Sequence, residues 1–454
     1  MTVAGAGAEE LEVIRDADAR ALAYLRGIGT RRVFPDGAAL AGLDRFREPL
    51  PDAGRDARDT IRLLDEAGTP AAVESNGARY FGFVVGAALP VAAAADRLAL
   101  AWDNGGVAAV TSPAAAAIER VAGEWLLEVL DLPREAAVGF TTSASAGTVV
   151  ALAAARRELL RRLGWDLDAK GLTGAPRITA AVSELAHVAV LKALRVLGFG
   201  TEEIVRLPVD DLGRVRPESV PDLDARTLLV LQAGEVNTGE SDPFARIVPV
   251  AKRAGAWVHV DGAFGLWARA TRHRALTDGI ELADSWTVDG HKWLNTPYDS
   301  AMVIVRDRDA LAQAMSSDAA YSPSSPDAQK NLVLEFSRRA RGIPVWAALR
   351  TLGREGVAEL VEGTIDLAAV VADGLRAAGF EVLNRPVLNQ VLAAADTPER
   401  TARVVAGAQA SGRTWFGGTT WRGRPAFRIS VSSWRTERRH VDDLVALLAE
   451  LAER

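Results

Sequence analysis

Between residues 101 and 310, short uninterrupted apolar runs alternate with longer stretches of helical periodicity. The short runs are "AVGFTT" (137–142), "RITAAVS" (177–183), "TLLVLQAG" (227–234), "AWVHVDGAF" (256–264), "SWTVDG" (285–290) and "SAMVIVR" (300–306). Each has the length of a strand. Between them lie alanine- and leucine-rich segments such as "GTVVALAAARRELLRRLG" and "HVAVLKALRVLGF", which predict helices. Strand, helix, strand, helix predicts an α/β fold with a mostly parallel sheet covered by helices on both faces. In such folds ligands bind at the carboxyl ends of the strands.

The flanking regions read differently. Residues 1–100 are helical in pattern, with turn-like breaks at "FPDG", "PLPDAG" and "ESNGARYFGF". Within 311–343, "AYSPSSPDAQKN" is rich in Ser, Pro and Asp and reads as a mobile loop. A long helix is expected from about Pro344, followed by strands "FEVLN" and "PAFRISVSS" and a closing helix, "RRHVDDLVALLAELAER". The expected organisation is therefore a helical segment (1–100), a large domain (101–343) and a small α+β domain (344–454). The most apolar run, "FVVGAALPVAAAADRLALAW", is interrupted by Pro90, Asp96 and Arg97, so it reads as loop plus buried helix rather than a membrane span. The first twenty residues lack the basic and apolar blocks of a secretory signal, and a cytoplasmic location is expected.

Composition narrows the chemistry. Hydrophobic residues make up 49% of 454 residues, enough for a large core. The net charge of −6, without a long basic run, makes nucleic acid and anionic membrane poor partners. No cysteine is present, which excludes disulfides, thiolate metal sites and a cysteine nucleophile; no metal site is expected. Of the 53 basic residues only five are lysine: Lys170, Lys192, Lys252, Lys292 and Lys330. Surface charge in this chain is carried by arginine. A lysine therefore draws notice for what arginine cannot do, which is to lose a proton and attack a carbonyl.

Four segments fall at strand ends. "TTSASAGTVV" puts hydroxyl residues where a strand gives way to a helix, either a plain N-cap or an anion site. "SELAHVAVL" places His187 at the start of a helix. "VHVDGAFG" ends a strand with Asp261, and "VDGHKWLN" ends another with His291 and Lys292. Each is weak alone. The ordered set matches the needs of pyridoxal phosphate: an anion cradle, a flat stacking partner, a carboxylate for the pyridine nitrogen and a lysine for the aldehyde. The turn lacks the glycine pattern of a dinucleotide fingerprint and the GK[ST] ending of a phosphate loop.

From "RYFGFVVGAALP" to "FRISVSSWRT" the chain resembles the group II pyridoxal-phosphate-dependent amino acid decarboxylases, which include aromatic amino acid and glutamate decarboxylases and share the aspartate aminotransferase fold. The resemblance implies a fold-type I enzyme with a seven-stranded-type sheet and pyridoxal 5'-phosphate as cofactor. It implies that Lys292 carries the cofactor's aldehyde, that His187 stacks on its ring and that Asp261 pairs with its nitrogen. Ala263 would pack against the ring. Ser143, Ala144 and Ser145 would hold the phosphate, helped by His291. It further implies a homodimer with shared active sites, N-terminal helices wrapped around the partner, and a pocket loop containing Tyr80 and Phe83. The implied activity is release of CO2 from a small amino acid substrate.

Two departures leave alternatives open. The family's loop tyrosine, which protonates the α carbon, has no evident match; alignment on "FSRRARGIPVW" brings Gln329, Lys330 or Asn331 near its place, and Tyr321 lies earlier. Tyr321 or His187 are the candidate donors. Without one, oxidative deamination, aldol cleavage or transamination become alternatives, and a catalytically silent cofactor-binding protein is a third class. In "QAGEVNTGE" the family's two hydroxyl residues are replaced by Glu235 and Val236, making Glu235 either a salt-bridged structural acid or a pocket acid. Arg428 in "FRISVSSWR" is either a structural ion pair or a partner for the substrate carboxylate.

Overall fold

A computed structural model describes residues 6–316 and 328–453. Its centre is a seven-stranded sheet built from β1 (Ala137–Thr141), β2 (Thr179–Ser183), β3 (Val205–Leu207), β4 (Thr227–Gln232), β5 (Trp257–Asp261), β6 (Ser285–Asp289) and β7 (Ala301–Val305). The order is β1-β7-β6-β5-β4-β2-β3. Only β7 runs antiparallel to its neighbours. Every residue of β4, β6 and β7 is buried, because helices cover both faces; β4 and β7 accordingly read as near-continuous apolar runs, while β6 (SWTVD) buries its alternate polar side chains as well. All six expected strands are present. β3 was not expected, since three residues carry no periodicity.

The helix Ala144–Arg162 follows β1 and lies on the sheet. Its alanines let it approach closely, and a Cβ at Gly147 would already sit 3.1 Å from Thr287 on β6. Ser143 caps it, accepting the Ala146 N–H at 3.3 Å. In its last turns Glu158 pairs with Arg161 and Arg162.

A second, antiparallel sheet has the order β10-β11-β9-β8. Its strands are β8 (Glu381–Val382), β9 (Gln390–Ala394), β10 (Gly417–Trp421) and β11 (Arg424–Ser430). β9 and β10 were not expected: the first is alanine-rich and the second, "GGTTW", begins with two glycines. Helices Gly342–Ala377, Pro398–Ser411 and Arg438–Glu453 accompany this sheet, and the first is interrupted at Gly353, where φ is +62°. The segment 311–343 departs from the expected mobile loop in its described part. Gln329–Asn331 form a buried turn of 3-10 helix. The Gln329 amide donates to Glu119, whose carboxylate also receives both terminal nitrogens of Arg338 at 2.8–2.9 Å in a buried pair. Gln329 thus faces Glu119 inside the fold. Tyr321 lies outside the described residues.

Among the described residues no helix is long and apolar enough to cross a membrane.

Candidate active site

The carboxyl ends of β1, β2, β5 and β6 bring four segments together. β6 ends at Asp289, and the chain turns at Gly290 into His291 and Lys292. Glycine is required at 290 because a Cβ would lie 2.4 Å from Ser300 Oγ and 2.5 Å from Thr296 Oγ1. Those two hydroxyls bond each other at 2.7 Å, and Gly290 donates its N–H to the Ser300 carbonyl. The turn is therefore held from both sides.

Lys292 Nζ lies 3.1 Å from Asp289 Oδ2, and His291 Nε2 lies 3.7 Å from the same oxygen. The other oxygen, Oδ1, accepts the Ala144 N–H at 2.7 Å. The Ser143–Ala144–Ser145 turn and the Lys292 loop thus meet through one buried carboxylate. Burial pushes the His291 imidazole down, and Lys292 pushes it further, against the pull of Asp289.

His187 is the N-cap of the helix Val188–Val196, and its Nδ1 accepts the Ala189 N–H at 3.2 Å. The ring is therefore neutral with its proton on Nε2. Burial holds its pKa below the usual imidazole range; Lys292 and Arg428 press the same way, and Asp261 and Asp289 oppose. Asp261 ends β5 and accepts the Ala263 N–H at 3.2 Å. Ala263 in turn receives the Asp289 N–H on its carbonyl at 2.9 Å.

The "RYFGFVVGAALP" segment (79–90) joins the site by its backbone. Gly86 donates to the His291 carbonyl and Leu89 to the Asn295 carbonyl. A Cβ at Gly86 would lie 2.1 Å from the Lys292 carbonyl oxygen, so only glycine permits this approach. Tyr80 stacks on Trp415 with ring centroids 5.0 Å apart and planes 6° apart, and Phe83 leans on the same indole at 5.3 Å. The Tyr80 hydroxyl is pushed up to about 12 by burial, with Tyr298 adding to it. Phe83 is exposed.

Arg428 on β11 donates to the Val236 carbonyl at 2.7 Å and makes no ion pair among the described residues. Burial lowers its pKa and Glu235 opposes. Of the two readings left open for Glu235, the salt-bridged one is not found: Glu235 makes no ion pair among the described residues. Its carboxylate accepts the backbone N–H groups of Asn237 and Thr238, both at 2.8 Å, and the Asn237 amide at 3.1 Å. It shapes its own loop, and burial raises its pKa.

Three contributors were not read from the sequence. Asp289 sits three residues before Lys292, a spacing that was available as a signal. Tyr298 stacks on His291 at 4.3 Å. Trp415 reaches the site only through the second sheet. A cavity of about 620 Å³ at the β1 edge, lined by Glu119, Gln329 and Arg338, holds none of these residues.

Residues 76–393 match the family model described as the pyridoxal-dependent decarboxylase conserved domain. The chain belongs to the pyridoxal-dependent decarboxylases. It is 27% identical to tryptophan decarboxylase 1 of Oryza sativa subsp. japonica, over 92% of this chain and 88% of that protein. It is 26% identical to phenylacetaldehyde synthase of Arabidopsis thaliana, over 89% and 88%. Its fold matches a crystal structure of Oryza sativa TDC with PLP and tryptamine, with a TM-score of 0.89, 24% identity and 98% of each chain covered. Fold-type I, implied by the resemblance, and pyridoxal phosphate dependence, expected from the ordered motifs, are thereby borne out. This decarboxylase is a lyase, and family membership favours CO2 release over the aldolase, transaminase and oxidative alternatives.

The residues present fit the cofactor. The end of the sheet carries buried polar atoms with no partner among the described residues, namely Gln232 Nε2, Ser241 Oγ and Thr287 Oγ1. Gln232 and Thr287 flank Asp261 in the strand register. Polar groups in such positions are normally satisfied.

Proposed function

We propose that the chain decarboxylates an amino acid with an aromatic side chain, using Lys292, Asp261 and His187 at the cofactor. The observation that supports this most is the meeting of Lys292, Asp289 and His291 at the carboxyl end of β6 with the Ser143–Ala144–Ser145 turn after β1, through the Asp289–Ala144 hydrogen bond. When bound, pyridoxal phosphate supplies the electron sink that takes the electrons of the breaking bond. Lys292 would carry the aldehyde and Asp261 would keep the ring nitrogen protonated. Ser143, Ala144, Ser145 and His291 would hold the phosphate, and Ala263 would pack beside the ring. His187 would lie against the ring, its Nε2–H free to donate because Nδ1 is engaged by Ala189.

Arg428 would take the substrate carboxylate, since it makes no ion pair among the described residues and its fork suits bidentate pairing. The side chain would meet the Tyr80, Phe83 and Tyr298 surface. The tryptophan and tyrosine decarboxylases among the relatives support the same substrate class by their names.

The three-part organisation (1–100, 101–343, 344–454) and a cytoplasmic homodimer belong to the same proposal. The N-terminal segment supports dimerisation, because Leu22, Leu25, Leu40, Phe46, Leu50 and Leu64 are exposed on it. Sedimentation equilibrium checks the dimer, and a monomer at micromolar concentration would refute it. The activity is tested by offering aromatic and other amino acids with pyridoxal phosphate, in air and without oxygen. Amine and CO2 in equal amounts, the same in both atmospheres, are expected. Aldehyde with ammonia and consumed oxygen, or glycine plus an aldehyde without CO2, would overturn the reading.

A further inference from the structure

Beyond β4 the chain crosses to the second sheet and engages it with successive residues. The Val236 carbonyl accepts Arg428 Nη1 on β11 at 2.7 Å. The Asn237 amide oxygen accepts the Thr419 hydroxyl on β10 at 2.9 Å. The Thr238 carbonyl accepts the Asn384 amide at 2.9 Å, and the Glu240 carboxylate pairs with Arg385 at 3.0 Å. A Cβ at Gly239 would lie 3.4 Å from Leu388. Residues 236–240 thus clasp β10, β11 and the connection between β8 and β9.

Glu235 lies at the head of this clasp and is 1% exposed. Its hydrogen bonds turn back into the clasp. Oε2 accepts the N–H groups of Asn237 and Thr238, both at 2.8 Å, and Oε1 accepts the Asn237 amide at 3.1 Å. Its carbonyl takes the Gly239 N–H at 2.8 Å, and its own N–H goes to the Glu240 carbonyl at 2.6 Å. The Asn237 N–H and the Val236 carbonyl belong to one peptide group, which is planar. Holding that N–H fixes the direction of that carbonyl, and the carbonyl holds Arg428. Without the carboxylate, the Asn237 and Thr238 N–H groups lose their acceptor inside the fold, and the peptide turns to find another. The two acids of the loop act differently: Glu240 neutralises Arg385, whereas Glu235 makes no ion pair with Arg428. A bond to a neutral carbonyl fixes the guanidinium and leaves its charge for an incoming anion.

We infer that Glu235 is the positioning residue for the arginine that takes the substrate carboxylate: it holds the Val236–Asn237 peptide, and through it Arg428, without pairing with the guanidinium. This inference rests on the reading of Arg428 as the carboxylate's partner, and the experiment separates the two. The holoenzyme would be titrated calorimetrically with 3-phenylpropanoate, which has a carboxylate and no amine, and with 2-phenylethylamine, which has an amine and no carboxylate. Glu235→Ala is expected to weaken 3-phenylpropanoate about tenfold and to leave 2-phenylethylamine within about twofold of wild type. Glu235→Gln, whose amide oxygen can still take both N–H groups, is expected to bind 3-phenylpropanoate within about threefold of wild type. Arg428→Met is expected to weaken it about tenfold or more, and adding Glu235→Ala to that variant to cost nothing further, because no arginine is left to position. Equal weakening of both probes by Glu235→Ala, an equal loss in Glu235→Gln, or additive losses in the double variant would overturn the inference while leaving the carboxylate reading intact. Wild-type affinity for 3-phenylpropanoate in Arg428→Met would refute the carboxylate reading, and the inference with it. If Glu235→Ala does not fold by circular dichroism, Glu235→Met, which fills the same space without an oxygen acceptor, takes its place in the same comparison.

Discussion

Two buried aspartates mark two regions of the same sheet. Asp289 ends β6 and Asp242 lies beyond β4, and neither is more than 3% exposed. Asp242 accepts only backbone N–H groups, from Val215 and Gln232, each at 2.8 Å. No cation pairs with it among the described residues, and burial pushes its pKa up to about 7, with Asp210 and Glu235 adding to the rise. Asp289 has Lys292 as counter-ion and His291 nearby. The same residue type at the same depth serves as a staple for chain segments in one place and as the counter-ion of a reactive amine in the other. Burial alone does not identify a functional acid; the partner does.

That contrast can be broken from the side of the cation. Lys292→Ala leaves Asp289 as unpaired as Asp242, and complete loss of turnover is expected, with no cofactor trapped on borohydride reduction. Trapping at another lysine, read by peptide mass spectrometry, would refute the assignment. Asp261 offers the next test, as a partly exposed acid at the end of β5. Asp261→Ala is expected to lose far more than tenfold in kcat and to hold the cofactor poorly; near-normal turnover would show that the electron-sink role lies elsewhere.

Arg428→Met asks whether the unpaired guanidinium is structural. A KM rise of about tenfold or more, with a smaller change in kcat, is expected from the loss of a charge-assisted contact of about 1.5–3 kcal/mol. An unchanged KM would make it a fastener for the 234–240 loop.

The smallest effect on turnover is expected at Asp242. Its folded pKa of about 7 lies above the unfolded carboxylate value, so the folded state holds the extra proton between about pH 4 and 7. Its contribution to stability therefore falls as pH rises through that window and is flat above it. Asp242→Asn is expected to flatten this slope, by up to about 4 kcal/mol across the window, with kcat within about twofold of wild type. Denaturant unfolding at several pH values checks the slope; an unchanged slope would mean Asp242 stays ionised throughout.

Much of this was legible along the chain. Each of the six long strands is a short segment of five or six residues, almost wholly buried and bounded by turn or helix signals, so local sequence marks it. His187, Asp261, His291 and Lys292 could be singled out because each stands at the end of such a run. β9 and β10 were missed because alanine and glycine favour no sheet locally; pairing with β11 makes them strands.

What the chain could not state by itself is who meets whom. Lys292 was identifiable from its neighbours, but the Asp289–Ala144 bond spans 145 residues, and Arg428 reaches the Val236 carbonyl across 192. Glu235 could be read as a pocket acid or an ion pair until its loop folded back and gave it three N–H donors of its own. Sequence determined the strand ends and the chemistry available at each, because those depend on adjacent residues. Tertiary structure alone decided which charges are neutralised, since that depends on packing that brings distant strand ends within about 3 Å, where burial makes each pairing costly to leave unmade.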